Sequence, residues 1–345
     1  MAIQKISCST LLPLLNQVPV FDVRSPGEYE HAHIPGAYSL PLFTNEERAL
    51  VGTLYKQKGK KHAIKAGLDY FGLKMSKMVA EVENTLKSDN YTATKIIIHC
   101  WRGGMRSAGV AWLLDLYGFD VQLLVGGYKS YRKWALQTFE SANNFNVLGG
   151  YTGSAKTETL AELEKAGESC IDLERLAGHK GSAFGGIGLP AQPSQEMFEN
   201  ILALELYRKS NHTIWLEDES QRIGVLNIPH SLWSTIRKSP LYFLNIPFKE
   251  RLNYIIQYYG KLPKEKLIES VVRIQKRLGP NETKMTLSYL LDDNTEEAFS
   301  ILLKYYDKHY IQSMHKRDNL EQLLINMDAA NINPLNNALL LIKIN

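Results

Sequence analysis

The stretch Lys95-Ile-Ile-Ile-His-Cys-Trp-Arg-Gly-Gly-Met-Arg-Ser107 decides the architecture of the first part of the chain. It opens with a short apolar run, which is typical of a parallel strand buried on both faces. A glycine-containing turn follows, and residues 107–116 then carry apolar side chains at helical spacing. A strand, a tight turn and a helix in this order predict an α/β fold with Cys100 at a helix N-terminus.

A cysteine in this position is expected to be reactive. Free backbone N–H groups and the helix dipole favour a thiolate and can lower its pKa below the reference of about 8.5. Arg102 and Arg106 flank the thiol, and Gly103 and Gly104 let successive N–H groups turn inward as an anion-binding nest. We predict Cys100, Arg102 and Arg106 as catalytic residues. The rest of the predicted anion-binding loop is Trp101, Gly103, Gly104, Met105 and Ser107.

Further short strands on either side complete a first α/β domain. Residues 18–23 and 121–125 are β-rich runs, and the polar segment 141–145 is a plausible boundary. We predict that the first domain covers residues 1–138.

A second glycine-rich loop, Gly150-Tyr-Thr-Gly-Ser-Ala-Lys-Thr157, follows a predicted strand and opens a predicted helix, which is the context of a P-loop. Its backbone N–H groups would cradle a diphosphate, Lys156 would add a positive charge, and the Thr157 hydroxyl can hold Mg²⁺. Ala155 departs from the pattern, because glycine is usual there. The predicted diphosphate-binding residues are Gly150, Tyr151, Thr152, Gly153, Ser154, Ala155, Lys156 and Thr157.

Acidic residues end two strands near this loop. The run Thr213-Ile-Trp-Leu-Glu-Asp-Glu-Ser220 has the form of a Walker B strand, so Asp218 is the first choice as a Mg²⁺ partner, while Glu217 and Glu219 remain unresolved as further candidates. Asp172 and Glu174 could line the same crevice at the carboxyl edge of the sheet. No tightly bound metal is expected.

Strands and helices alternate from residue 144 to 247, which predicts a P-loop NTPase-like α/β/α domain with a parallel sheet. Strand signals then disappear, and 249–259, 264–278 and 296–316 have amphipathic helical patterns. We therefore predict a helical C-terminal region over 248–345. The segment 178–193, rich in Gly, Pro and Ala, is expected to be a loop over the second site.

Composition sets outer limits on function. The 345 residues are 44% hydrophobic and 22% charged, with a net charge of +4, as in ordinary soluble globular proteins. Three cysteines, Cys8, Cys100 and Cys170, are too few and too widely spaced for a disulfide scaffold or a metal knuckle. No apolar run approaches the length of a membrane span and no signal pattern opens the chain, so we expect a cytoplasmic protein without a membrane partner.

The spacing from Cys100 to Arg106 and Ser107 also satisfies the Cys-x5-Arg-Ser pattern of cysteine phosphatases. Two upstream segments favour another class, because Phe21-Asp-Val-Arg-Ser-Pro-Gly-Glu28 and His33-Ile-Pro-Gly-Ala37 resemble the signatures of rhodanese sulfurtransferase domains. Val125-Gly-Gly-Tyr-Lys129 resembles the segment that follows the catalytic loop in that fold. The first domain is therefore predicted to be rhodanese-like.

A rhodanese-like domain fused to a P-loop domain closely resembles the bacterial tRNA 2-selenouridine synthases, over roughly residues 10–260. Besides the motifs above, the resemblance is carried by Asn45-Glu-Glu-Arg48, Val51-Gly-Thr-Leu-Tyr-Lys-Gln57, Gln192-Pro-Ser-Gln195 and Glu217-Asp-Glu-Ser-Gln-Arg-Ile-Gly224. It implies a transferase that replaces the 2-thio sulfur of wobble uridine in tRNA with selenium from selenophosphate. It also implies transfer of a geranyl group from geranyl diphosphate to that sulfur, giving an S-geranyl intermediate.

These implications extend to partners and cofactors. A tRNA carrying 2-thiouridine at the wobble position would be the substrate, an enzyme supplying selenophosphate could be a partner, and no tightly bound cofactor is expected. Basic, aromatic-interleaved segments are predicted to contact RNA, whereas residues 273–277 are interpreted as a solvated face. The predicted RNA-binding residues are Lys56, Lys58, Lys60, Lys61, Lys65, Lys129, Arg132 and Lys133.

Two alternatives remain open from the sequence. One is a rhodanese-type sulfurtransferase or cysteine phosphatase fused to a kinase-like P-loop domain. The other is a non-catalytic tRNA-binding adaptor for sulfur relay, which would bind tRNA with a steep salt dependence but form no product.

Overall fold

A computed structural model of the chain describes residues 3–89, 91, 94–141 and 144–344. The chain divides into two compact units, Met1–Gln137 and Thr138–Asn345. Ala142 and Asn143, in the predicted boundary segment, lie outside the described residues.

The first unit is an α/β fold around one parallel sheet. Its strands are β1 (Gln4–Ile6), β2 (Val20–Asp22), β3 (Tyr38–Ser39), β4 (Lys95–His99) and β5 (Asp120–Leu124). Its helices are α1 (Cys8–Leu11), α2 (Pro26–His31), α3 (Asn45–Lys58), α4 (Lys60–Ser88), α5 (Met105–Tyr117) and α6 (Gly127–Thr138), with a short 3-10 helix at Leu12–Leu14. The strand order is β1-β5-β4-β2-β3, and every pairing is parallel.

The apolar run of β4 lies at the centre of this sheet, as predicted. Ile96, Ile97 and Ile98 are completely buried, because helices cover both faces of a parallel sheet. A long hairpin of α3 and α4 is inserted between β3 and β4. Thr44 and Glu47 form a capping box at the start of α3, and Gly59, with φ +85°, connects the two helices.

The second unit also contains a parallel sheet. Its strands are β6 (Phe145–Gly150), β7 (Ser169–Ile171), β8 (Ile214–Glu217), β9 (Arg222–Ile223), β10 (Leu226–Asn227), β11 (Leu241–Asn245) and β12 (Leu324–Asp328). Its helices are α7 (Lys156–Lys165), α8 (Leu173–Ala177), α9 (Gln195–Arg208), α10 (His230–Arg237), α11 (Phe248–Tyr259), α12 (Lys264–Leu278), α13 (Pro280–Leu291), α14 (Thr295–Met314), α15 (Leu320–Leu323) and α16 (Pro334–Ile344). The main sheet has the order β12-β11-β6-β8-β7, and β9 and β10 form a separate antiparallel pair.

The C-terminal region is mostly helical, but it is not only a helical extension. After α11 to α14, the chain returns to the sheet as β12 and pairs in parallel with β11 from Leu241↔Leu324 to Asn245↔Asp328. Helix α16 then packs on α7, and Ala338 and Leu341 join the core beneath the sheet. This strand was not predicted, because only Leu324, Ile325 and Met327 mark it as apolar.

Helices α11 to α14 bury an apolar core of their own, which includes Leu252, Ile255, Val271 and Leu302. Phe184, from the loop at 178–193, is also part of it and is 5% exposed. Among the described residues, no helix has both the length and the apolar character needed to cross a membrane.

Candidate active sites

The Cys100 thiol lies directly after β4, at the start of the turn into α5. Its side chain is buried, with 3% of the residue exposed. The Ser107 hydroxyl, in the first turns of α5, donates a hydrogen bond to Cys100 Sγ at 3.1 Å. The strand end and the helix N-terminus therefore meet at the sulfur, as predicted from the sequence.

The pKa of the Cys100 thiol is lowered from its usual range. Burial raises it, but hydrogen bonds from the Ser107 hydroxyl and from the backbone N–H groups of Ser107, Arg102 and Gly104 lower it by more. These groups stabilise the thiolate as an anion nest does. By contrast, burial raises the pKa of Cys8 to about 11 and that of Cys170 to about 12. Among the three cysteines, Cys100 is thus the one whose thiolate form the structure favours.

The two arginines of the loop have different surroundings. Arg106 Nη1 donates to Glu28 Oε2 at 2.9 Å, so its charge is engaged by a carboxylate of α2. Arg102 is exposed. The leading causes of the lowered Cys100 pKa are a hydroxyl and backbone amides. The predicted effect of free backbone N–H groups on the Cys100 pKa is therefore confirmed, and the Ser107 hydroxyl adds to it.

The shape of the loop depends on glycine. Gly103 has φ +65°, and a Cβ there would lie 2.7 Å from Leu124 O. Gly127 has φ +57°, and a Cβ there would lie 2.2 Å from Cys100 O. The Tyr128 N–H donates to Cys100 O at 2.8 Å, and the Lys129 N–H donates to Trp101 O at 3.0 Å. Trp101 and Met105 are exposed at the rim of the loop. The Val125–Lys129 segment therefore fixes the backbone behind the thiol.

A buried ion pair between Asp22 and Arg24 contacts aromatic residues of the same loop and of the segment behind it. Arg24 Nη2 contacts Asp22 Oδ2 at 2.6 Å and Arg24 Nε contacts Asp22 Oδ1 at 3.0 Å, while both side chains are almost completely buried. The Arg24 guanidinium also lies over the Tyr128 ring, 3.9 Å from its centroid, and 5.9 Å from that of Trp101. The Asp-Val-Arg motif thus connects the sheet to the loop that carries Cys100.

The P-loop connects β6 to α7, as predicted. The Ser154 hydroxyl donates to Tyr151 O at 2.7 Å and closes a tight turn. Ala155 adopts the left-handed conformation, φ 52° and ψ 42°, which explains why glycine is usual at this position. Lys156 Nζ donates to Gly150 O at 3.0 Å, and Thr157 Oγ1 donates to Glu174 Oε2 at 3.3 Å.

Helices α11 and α14 hold this loop from one side. Arg251 Nη1 donates to Thr152 O at 3.1 Å and forms a bidentate pair with Asp307 at 2.9 Å. The Arg251 guanidinium lies 4.7 Å from the centroid of the Tyr151 ring. A Cβ on Gly153 would lie 2.9 Å from Ile255 Cδ1. The sequence analysis did not identify Arg251, because its partners lie far away along the chain.

Both carboxylate oxygens of Asp218, the first choice as a Mg²⁺ partner, accept hydrogen bonds from other side chains of the fold. The Tyr310 hydroxyl donates to Asp218 Oδ2 at 2.7 Å, and Arg317 Nη2 donates to Asp218 Oδ1. Arg317 is buried and also donates to the carbonyl oxygens of Ile236 and Arg237. The carboxylate therefore joins the C-terminal helices to the sheet. Asp172 also has a structural partner, because its Oδ1 caps α8 by accepting from Arg175 N–H at 2.7 Å.

Three glutamates gather beside Thr157 instead. Glu217, which is 1% exposed, accepts from Glu174 N–H at 2.8 Å, and its other oxygen is buried without a hydrogen-bond partner. Glu174 and Glu219 are hydrogen-bonded to each other through their side chains. A Cβ at Gly181, with φ +64°, would lie 2.8 Å from both of them. The loop at 178–193 therefore passes directly against this acid cluster.

The carboxyl groups of the acid cluster have raised pKa values. Burial raises the pKa of Glu217 well above its usual value, and the neighbouring Asp172 carboxylate adds to this effect. Burial and the Glu174 carboxylate raise the pKa of Glu219 to about 8, although Lys156 lowers it. Within the described residues, no group of three His, Cys, Asp or Glu side chains is arranged to hold a metal by itself. The cluster fits a Mg²⁺ ion only with the help of Thr157 and of ligand oxygens.

Glu174, expected to line the crevice, and Glu219, left unresolved as a candidate, are thus the two carboxylates that the structure brings together near Thr157. The signal was present, since each carboxylate lies within three residues of a strand end. The local pattern did not distinguish these acids from Asp218, because the distinction depends on Tyr310 and Arg317.

The predicted RNA-binding lysines fall on two helical surfaces. Lys56 and Lys58 end α3, and Lys60, Lys61 and Lys65 begin α4, so all five lie near the tip of the inserted hairpin and are exposed. Residues 48–68 contain no Asp or Glu. On α6, Lys129 and Lys133 are exposed and Arg132 is half-buried.

The fold and both loops define a class of protein, one with a rhodanese-like domain followed by a P-loop-like AAA domain. A family model described as "Rhodanese-like domain" matches residues 8–133, and one described as "tRNA 2-selenouridine synthase AAA domain" matches residues 143–335. The chain belongs to the tRNA 2-selenouridine synthase family, and the names of its relatives indicate an enzyme that acts on tRNA.

Three relatives named tRNA 2-selenouridine synthase illustrate the similarity. The protein of Cupriavidus pinatubonensis is 37% identical, over 71% of this chain and 67% of its own. The protein of Pseudomonas savastanoi pv. phaseolicola is 35% identical, over 89% of this chain and 92% of its own. The protein of Proteus mirabilis is 34% identical, over 89% of this chain and 91% of its own.

Proposed function

We propose that this chain replaces the 2-thio sulfur of wobble uridine in tRNA with selenium from selenophosphate, by way of an S-geranyl intermediate. The observation that carries the proposal is the lowered pKa of the buried Cys100 thiol in a loop of inward-pointing amides. A thiolate in such a nest suits a donor whose cargo is attached to an oxyanion. The same loop would therefore bind the donor and accept its cargo.

Cys100 would carry selenium as a selanylsulfide. In this step the S–Se bond forms as the Se–P bond breaks, and the bonding electron pair leaves with phosphorus. An external low-molecular-weight thiol then attacks Cys100 sulfur, releases hydroselenide and leaves a mixed disulfide, which a second molecule of the same thiol reduces to restore Cys100. The hydrogen bond from Ser107 and the backbone N–H groups of Arg102 and Gly104 favour the thiolate form of Cys100 for the first attack.

Geranyl transfer would prepare the base for substitution. Alkylating the 2-thio sulfur forms a C–S bond, releases diphosphate and frees the N3 proton of the base. The alkylated sulfur is a better leaving group at C2, so hydroselenide can displace it as geranyl thiol. The P-loop, with Lys156 and its backbone amides, supports binding of the diphosphate of this prenyl donor.

A Mg²⁺ ion arriving with the diphosphate would be held by Thr157 and Glu174, which already contact each other at 3.3 Å. When bound, it would neutralise negative charge on the leaving diphosphate. Glu219 can hold a proton beside Glu174, which keeps the charge of the acid cluster low when no cation is there.

The exposed lysines at the hairpin tip would contact the tRNA backbone. They are exposed and carry no ion pair within the described part of the chain. The wobble base is unpaired, so reaching it requires modest extrusion and no duplex opening.

The decisive experiment supplies purified protein with 2-thiouridine tRNA, selenophosphate and geranyl diphosphate, followed by mass spectrometry of the nucleosides. We expect S-geranyl and 2-selenouridine products. Cys100→Ser should abolish selenium incorporation, whereas the matched variants Cys8→Ser and Cys170→Ser should retain it. Retained incorporation in Cys100→Ser would exclude Cys100 as the carrier, and absence of both products from the wild type would exclude the function.

The phosphorus product tests selenium carriage by itself. If Cys100 takes selenium, phosphorus leaves as phosphite, which ³¹P NMR distinguishes from phosphate. Phosphate as the sole product would contradict the selanylsulfide. Lys156→Ala should weaken geranyl transfer, and unchanged transfer would remove the P-loop from the proposal.

The tRNA surface is tested by neutralising the hairpin tip. A triple variant with Lys58, Lys60 and Lys61 changed to Gln should weaken tRNA binding and reduce the slope of log K against log salt by about 2. A matched triple variant, with Lys276, Lys284 and Lys308 changed to Gln, should change neither. Equal effects of the two triple variants would mean that net charge, and not the hairpin, governs binding.

A further inference from the structure

Two arginines converge on one carboxylate oxygen beside the thiol loop. Glu28 Oε2 accepts from Arg106 Nη1 at 2.9 Å and lies 3.6 Å from Arg48 Nε. The Glu28 side chain is 17% exposed, that of Arg106 25% and that of Arg48 52%. The two guanidinium groups therefore face a single negative charge and leave an excess of one positive charge at this point.

The carboxylate is also fixed by its own helix. Glu28 Oε2 accepts from Ser25 N–H at 3.2 Å and from the Ser25 hydroxyl at 3.3 Å, which forms the capping box of α2. Burial raises the pKa of Glu28, but Arg106, Ser25 and Arg48 together lower it. The carboxyl is therefore ionised at neutral pH.

Arg48 reaches this point because the inserted hairpin is attached to α2. Asn45 Oδ1, at the start of α3, accepts from Gly27 N–H at 2.9 Å, and Arg48 is one helical turn further along α3. The second guanidinium thus comes from the insertion and not from the thiol loop.

Arg106 is at the same time part of the catalytic turn. It immediately precedes Ser107, whose hydroxyl donates to Cys100 Sγ. The backbone of Arg106 therefore joins this pair of guanidinium groups to the turn that holds the thiolate.

We propose that Arg48 and Arg106 form an oxyanion subsite for the phosphate group of the donor, and that the Glu28 carboxylate occupies this subsite until the donor displaces it. The inference rests on the proposed function, in which an oxyanion delivers its cargo to Cys100. Glu28 is then a built-in competitor, and Arg48 is a donor-binding residue contributed by the hairpin.

The chemistry of the subsite favours a phosphate-type group. Two guanidinium forks offer more N–H donors than one carboxylate oxygen can accept, whereas the oxygens of a phosphate group can accept from both. The neighbouring thiol is only 3% exposed, so the ligand must be small. These features together select an inorganic oxyanion over a bulky ester.

The test measures protection of Cys100 from alkylation. Iodoacetamide is added to the full chain at neutral pH with increasing inorganic phosphate, and alkylation of the Cys100 peptide is followed by mass spectrometry. Cys8 and Cys170 have raised pKa values and react slowly, so the readout is specific. Phosphate should slow the alkylation of wild-type Cys100.

Two variants change the protection in opposite directions. In Glu28→Gln the competitor has lost its charge, and we expect the half-protecting phosphate concentration to fall about tenfold. In Arg48→Gln one guanidinium is lost, and we expect that concentration to rise at least threefold. Arg48 is half exposed, so this second variant tests the subsite even if Glu28→Gln folds poorly.

Ser25→Ala is the matched control, since it removes the hydroxyl of the same capping box and keeps the Glu28 charge. Because it also removes one hydrogen bond to Glu28 Oε2, the half-protecting concentration should fall, but far less than in Glu28→Gln. The proposal is overturned if Ser25→Ala reproduces the effect of Glu28→Gln, or if Arg48→Gln protects as the wild type does. This assay involves no selenium, so it is independent of the proposed function. If the protein transfers selenium but the variants do not change the half-protecting phosphate concentration, the subsite alone is contradicted. If the variants change that concentration but no selenium is transferred, the proposed function alone is contradicted.

Discussion

The Tyr310 hydroxyl lies between the P-loop and the acid that ends strand β8: it donates to Asp218 Oδ2 at 2.7 Å and accepts from Gly150 N–H at 3.3 Å. One side chain of α14 thus fixes the first residue of the loop against the sheet. Arg317 neutralises Asp218 from the other side. The phosphate loop is therefore held in shape by the C-terminal helices.

Tyr310→Phe should keep the packing and lose both hydrogen bonds. We expect a loss of about 1–2 kcal/mol in the free energy of unfolding, because Asp218 and Gly150 N–H each lose a buried partner. Binding of diphosphate should weaken severalfold, with KM for the prenyl donor affected more than kcat. Urea denaturation and donor titration measure the two effects. Tyr305→Phe, on the same helix, is the control and should change neither.

Ser107→Ala should raise the pKa of Cys100, because the hydroxyl is the leading group that lowers it. The thiolate fraction below that pKa then falls, and we expect alkylation at neutral pH to slow about tenfold. The pH dependence of iodoacetamide labelling gives the measurement. Ser130→Ala provides the comparison, since its hydroxyl donates to Val125 O and Gly127 O behind the same loop. If both variants label alike, the Ser107 hydrogen bond does not control the thiol.

Ala155→Gly should stabilise the second unit. The left-handed conformation costs a non-glycine residue about 1–2 kcal/mol, and the greater freedom of glycine in the unfolded chain offsets about 0.4–1 kcal/mol of this. A net gain of about 0.5–1 kcal/mol in the free energy of unfolding is expected in chemical denaturation. Ala166→Gly, at the end of the same helix with φ −79°, should not stabilise the chain. Destabilisation by Ala155→Gly would mean that the Cβ contributes packing that outweighs the strain.

The pH dependence of stability follows from the acid cluster. The pKa of Glu219 is raised to about 8 in the folded chain, so the folded state keeps a proton that the unfolded state releases above its ordinary value of 4.5. The stabilisation linked to this proton is fully present below pH 4.5 and is lost as pH rises through 8. The thermal midpoint should therefore fall between pH 5 and pH 8, and Glu219→Gln should flatten this fall. Glu168→Gln, which removes a carboxylate outside the acid cluster, should keep the wild-type slope.

Much of the fold was predictable because its signals are local. The apolar run Lys95–His99, the glycines after it and the helical spacing of α5 lie within about twenty residues, and the structure confirms each of them. The edge strand Leu324–Asp328 was missed, because an edge strand with one buried residue carries little of the apolar pattern that marks a central strand.

The candidate sites were likewise predictable where their signals are local. The placement of Cys100 and of Lys156 follows from strand-turn-helix patterns, but the partners of Arg106 and Asp218 do not. Glu28 precedes Arg106 by 78 residues and Tyr310 follows Asp218 by 92. Contacts over such separations are made by the tertiary fold, and a single sequence gives no local sign of them.

The return of the chain to the sheet as β12 has a consequence for how the protein is made. During synthesis, β6 and the P-loop leave the ribosome more than 150 residues before Tyr310, Arg317 and β12, which hold them in the folded unit. The first unit is built from an earlier, separate segment and can fold while the rest is still being translated. The second unit cannot complete its folding until nearly all of its residues have been translated, and until then the edge of β11 lacks its partner strand β12. We therefore expect ribosome-bound chains that stop before residue 310 to carry a protease-resistant first unit and a protease-sensitive P-loop.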